Sequence, residues 1–142
     1  MAEITIRIQI SENIQQTDKY ELTTKQANDI AKKLCSHFKV PDVKVVILEE
    51  LDWNMLRERN LKHGNFGYMG LYYYLVSEIE LIKNKQGNTL NVLLHELAHH
   101  LSYYMYAPES VNCSSHGYFF QLAKKRITTW TKNEYGKAIH IT

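Results

Sequence analysis

At 142 residues, 44% of them hydrophobic, the chain is long enough for one domain with a single buried core. A net charge of +2 and a pI near 8.4 are too mild to argue nucleic-acid binding by charge alone. The opening MAEITIRIQI lacks the apolar stretch and cleavage site of a signal peptide, and no segment approaches the roughly 18 apolar residues of a membrane span, so no membrane partner is expected. Cys35 and Cys113 make no zinc-ribbon spacing and allow only one disulfide; reduced thiols and a cytoplasmic location are the expectation.

In chain order, Ile4 to Ile10 alternates apolar and polar residues, which predicts a first strand, and polar Ser11 to Tyr20 a loop. Thr23 or Thr24 can cap a helix to about Phe38 that turns Ala27, Ile30, Ala31 and Leu34 inward. Beyond Pro41, the β-branched run Val43 to Leu48 reads as a central strand. Leu51 to Asn60 is ambiguous between loop and short helix, and His63 to Gly70, with three glycines, reads as a mobile loop. Leu71 to Tyr74 and Glu78 to Ile82 read as strands, and Lys83 to Asn88 as a turn. The strand at Glu78 to Ile82 is expected at a sheet edge, where it either pairs with an extended peptide or is covered. Lys137 to Thr142 is a candidate last strand. The order, one helix, strands, then two helices, predicts a small α+β domain.

The chemistry concentrates in His95-Glu96-Leu97-Ala98-His99, an H-E-x-x-H pattern within the apolar segment from Asn88 to Tyr106. On a helix of about 100° per residue, Leu90, Leu93, Leu94, Leu97, Ala98 and Leu101 share one side. His95 and His99 share roughly the opposite side, one turn apart, spaced to grip one metal ion. A catalytic zinc takes three protein ligands and keeps one open position, so a third ligand is required. A metzincin-type third histidine is excluded, because Ser102 and Met105 stand where that pattern needs glycine and histidine. His116 is the first choice. It lies in the first turn of a predicted helix, capped by Ser114 or Ser115 and running to about Thr131, on which His116, Phe119, Phe120, Ala123, Ile127 and Trp130 form one inward stripe. Glu109 is the alternative, since a glutamate would complete a thermolysin-like set.

His95, Glu96 and His99, followed after a loop by His116, Gly117 and Phe120 as H-G-x-x-F, resemble the SprT-like (Spartan-type) zincin metallopeptidases. The resemblance covers roughly Gly67 to Ile127, including the paired strands before the motif. It implies a single zincin-like metallopeptidase domain over residues 1–142: a twisted sheet of three or more strands with an active-site helix and a following helix. It also implies one zinc ion on three histidines, Glu96 as general base, and a peptide or protein substrate. These 142 residues carry no cysteine-rich segment after the core, so a nucleic-acid link is expected only through a protein–DNA context.

In that reading Glu96, beside the ligand face, takes a proton from the attacking water and passes it to the leaving amine. Tyr118 and Tyr103 are candidate transition-state stabilisers, with packing as the alternative for each. His100, about 100° round from His99, is expected at the surface or behind the ligands. His37 is placed to favour a helix C-terminus, and His63 reads as a solvated loop residue. Lys124, Lys125 and Arg126 read as a solvated helix face. A non-catalytic metal-binding domain, or a nucleic-acid-associated adaptor built on the basic last helix, remains the alternative function.

Overall fold

The computed structural model describes residues 22–48, 70–82, 89–106, 116–136, 139 and 141. The expected strand at Ile4 to Ile10, the segment Leu51 to Asn60, the loop before Gly70, the turn Lys83 to Asn88 and residues His63, Glu109, Cys113 and His140 lie outside them. The described elements are α1 (Thr24–Phe38), β1 (Lys44–Leu48), β2 (Gly70–Tyr73), β3 (Glu78–Ile82), α2 (Thr89–Tyr106) and α3 (Tyr118–Tyr135). The fold is α+β, with three helices and a three-stranded mixed sheet among the described residues.

α1 starts as its sequence predicts. The Thr23 hydroxyl accepts from the Gln26 main chain at 3.1 Å, and the Gln26 side chain accepts from the Thr23 N–H at 2.9 Å, a complete capping box. Lys39, left-handed at φ 57°, ends the helix by donating its N–H to the Cys35 and Ser36 carbonyls. The expected inward residues are buried, together with Cys35. Burial, with Asp42 nearby, pushes the Cys35 thiol up to about 12, which leaves it protonated and inert at neutral pH.

The sheet order is β1-β3-β2, with β1 parallel and β2 antiparallel to β3. This corrects two expectations: β3 is the middle strand, while the Val43 to Leu48 segment is outer among the described strands. The β2–β3 hairpin was local in sequence; the parallel pairing of β3 with β1 was not. Alternation then sorts the faces. Val45, Ile47, Gly70, Tyr72, Ile79 and Leu81 stand in register on one face, and Val45, Ile79 and Leu81 are fully buried. On the other face Tyr73 donates its hydroxyl to Glu80 at 2.9 Å. The Asn28 carboxamide takes both main-chain groups of Val45, at 2.8 and 2.9 Å, and so occupies the outer edge of β1 at that point.

α2 lies at the centre of the molecule, packed on β2, β3, α1 and α3. All six residues of its predicted apolar face are buried. α3 begins later than expected, at Tyr118 with Gly117 as its extended N-cap, and runs on to Tyr135, where left-handed Gly136 stops it. Ile139 and Ile141 are buried, but neither lies in a strand, against the expectation for Lys137 to Thr142. Instead the Ile139 N–H donates to the Thr131 hydroxyl at 3.1 Å, which ties this segment back to α3. Among the described residues no helix is long and apolar enough to cross a membrane.

Candidate metal centre

His95 and His99 project from one side of α2, half-buried, one turn apart, with ring centroids 5.1 Å from each other. α3 supplies the opposite wall. The fully buried ring of Phe120 packs against His95 at 4.9 Å, His99 at 4.4 Å and His116 at 4.9 Å. One apolar ring therefore orients all three imidazoles.

His116 reaches the site from a different place than expected. It is exposed and precedes the Gly117 cap, so it sits on the connection into α3 and not on the helix stripe. Gln121 holds that connection, donating its side-chain amide to the His116 carbonyl at 3.3 Å. The ring still arrives: His116 Nε2 is 3.3 Å from His95 Nε2, and one ligand atom from each of His95, His99 and His116 falls within 4.8 Å of the others. Three imidazoles with converging nitrogens can hold a metal ion. Burial, with His95 and His116 beside it, lowers His99 to about 4, so its ring is neutral and free to ligate at neutral pH.

Glu96 completes the arrangement. Its side chain is only 6% exposed, and its Oε2 is buried with no hydrogen-bond partner among the described residues. Burial pushes its carboxyl up to about 7. A carboxyl with that value exchanges its proton near neutral pH, as a general base must.

Of the two places expected for His100, the surface is ruled out. The residue is fully buried, with Nε2 2.7 Å from the Pro41 carbonyl and Nδ1 2.8 Å from the Tyr72 hydroxyl. A carbonyl can only accept, so Nε2 carries the proton; Nδ1 then accepts from the tyrosine O–H. Burial lowers the His100 pKa, which keeps the ring neutral. α2 is thereby bonded on one side to β2 and to the loop before β1.

The tyrosines stand further out. Tyr118, 70% exposed, sets its ring edge-on to Phe119. Tyr103, one turn beyond His99, packs its ring on Tyr74 at 5.2 Å and Tyr104 at 5.0 Å. In the basic run Lys125 and Arg126 are exposed, as expected for a solvated face, and Lys124 is half-buried. Lys124 lies over the Phe120 ring at 5.9 Å and Arg126 donates to the Tyr106 hydroxyl at 2.8 Å. His37 lies in the last turn of α1, as expected, with its ring edge-on to Phe38.

Compared with known protein families, with curated proteins and with solved structures, the chain matches none.

Proposed function

We propose that this chain is a zinc-dependent peptidase of the SprT-like, zincin type. The observation that carries the reading is the presence, next in the chain to one of three converging imidazoles, of a buried carboxylate whose Oε2 is unpartnered among the described residues. A buried polar atom without a partner costs about 1–3 kcal/mol or more. A site that only held a metal would have no use for that cost, whereas a general base needs the free oxygen.

The donor types suit zinc, and one pair already stands at zinc-ligand spacing, although the three ligand atoms together lie within only 4.8 Å of one another and would draw closer on an ion. Two ligands each about 2.0–2.1 Å from one zinc at tetrahedral angles stand about 3.3–3.4 Å apart. His95 Nε2 and His116 Nε2 are 3.3 Å apart. Bound there, zinc would polarise a peptide carbonyl and make a neighbouring water more acidic. The protein's part is then specific. His95, His99 and His116 would hold the ion through ring nitrogens, which unlike carboxylates do not cancel its charge, and Phe120 fixes their rings. Glu96 takes the proton of the attacking water at its free oxygen and returns it to the leaving nitrogen. Tyr103 is the better placed of the two tyrosines to add a donor, being on the ligand helix one turn past His99. β2, which starts against Glu96 and is an outer strand among those described, suits an extended peptide as substrate.

The test pairs metal content with cleavage of an unstructured protein substrate. The parent should hold about one zinc per chain and lose activity to a chelator. Glu96→Gln should keep the zinc and lose about 10²–10⁴-fold in cleavage rate. A Glu96→Gln protein that cleaves as fast as its parent would overturn the assignment. Zinc without cleavage in the parent would favour the non-catalytic metal-binding domain. Salt-dependent DNA binding with zinc purely structural would favour the adaptor.

A further inference from the structure

The glycine that opens β2 stands against the residue that opens the chemistry. Gly70 is on the inward face of the sheet, opposite Leu81. A methyl group added there would lie 2.7 Å from Val92 Cγ1, 3.1 Å from Leu81 Cδ2 and 3.2 Å from Glu96 Cγ. Non-bonded carbons rest at about 3.5–4.0 Å, so the first contact is a clash and the other two are tight. The neighbours have little freedom to yield. Val92 is β-branched on a helix, Leu81 is fully buried, and Glu96 is 6% exposed. The backbone of Gly70 is not left-handed, so no turn demands glycine at this position. What the position requires is the missing side chain.

We propose that Gly70 is a positioning residue for Glu96: its bare Cα is the back wall that sets how far the carboxylate stands from the three imidazoles. This rests on the reading of Glu96 as general base. A side chain at residue 70 would press on Glu96 Cγ and swing the carboxylate, while leaving His95, His99 and His116, which are held by Phe120, in place. Displacement of a reacting group by about 1 Å can cost on the order of 100-fold in rate.

The experiment introduces Gly70→Ala into the parent and into a Val92→Ala background. Val92→Ala removes the atom at 2.7 Å and leaves the contacts to Glu96 and Leu81, which keeps the test available if the single variant does not fold. Crystal structures and kinetics of the zinc-loaded proteins are compared within each background. The expected result is a displaced Glu96 carboxylate, an unmoved histidine cluster, unchanged zinc content, and a kcat reduced tenfold or more at unaltered KM. A Glu96 carboxylate in its original place with kcat equal to that of the matching background would overturn the proposal, as would a fall in zinc content that accounts for the lost activity. If the parent cuts no peptide, the peptidase reading fails by itself. The position of Glu96 in the alanine variants then still decides the role of Gly70.

Discussion

Glu96 and His100 stand one turn apart on α2, and both are buried, yet their polar atoms are treated in opposite ways. His100 spends both ring nitrogens, one on the Pro41 carbonyl and one on the Tyr72 hydroxyl, and so joins α2 to β2 and to the loop before β1. Glu96, next to His95 in the chain, keeps its buried Oε2 unpartnered among the described residues. The satisfied group is structural: it holds the helix in a fixed rotation and register. The unsatisfied one is the group to which the proposed function assigns the proton transfer. On one helix, the state of a buried polar atom separates scaffold from chemistry better than burial alone does.

Substitutions can break this contrast at graded cost. The largest effect belongs to Glu96→Gln, which should lower cleavage by about 10²–10⁴-fold while leaving zinc and stability near parental values. His100→Phe should do the reverse. It leaves the part-buried Pro41 carbonyl and Tyr72 hydroxyl without their partner, at about 0.5–1.5 kcal/mol for each bond lost. Denaturant unfolding should therefore show a loss of about 1–3 kcal/mol, with zinc content retained in the folded fraction. If His100→Phe instead lost zinc or activity while remaining folded, His100 would belong to the site and the contrast would fail. Tyr72→Phe is the mildest change. It removes one donor and should cost about 1 kcal/mol. It also has a pH signature. Burial, reinforced by Tyr104, Tyr103 and Cys35, raises the folded-state pKa of Tyr72 above its ordinary value of 10.0. The unfolded phenol therefore ionises first, so the parent keeps this contribution below about pH 10 and loses it as pH rises further. Stability of Tyr72→Phe should fall less steeply above pH 10; an identical slope would show that the phenol is not the group responsible.

Much of the scaffold was legible in the sequence because its signals are local. The capping box at Thr23, the β2–β3 hairpin and the leucine face of α2 all depend on near neighbours. The His95–His99 pair was legible for the same reason, since helical pitch alone brings the rings together. What was misread depends on packing between distant segments. His100 was left between the surface and a place behind the ligands because helical phasing assigns one buried face. α2, however, is covered by the sheet, α1 and α3, which bury more than one side of it. β3 was expected at an edge because its pairing with β1 joins segments separated by more than twenty residues. His116 was read as the first turn of α3, whereas Gly117, extended at φ −80° and ψ −155°, keeps it in the connection. The role of Gly70 had only a faint signal, a glycine directly before an apolar strand, and that signal was read as loop.

The most direct measurement is anomalous scattering at the zinc edge from crystals soaked in zinc. The account predicts one peak per chain, about 2.0–2.1 Å from one nitrogen each of His95, His99 and His116, with the fourth position open towards Glu96. A peak elsewhere, or one in which Glu109 replaces His116 or Glu96 itself fills the fourth position, would contradict it.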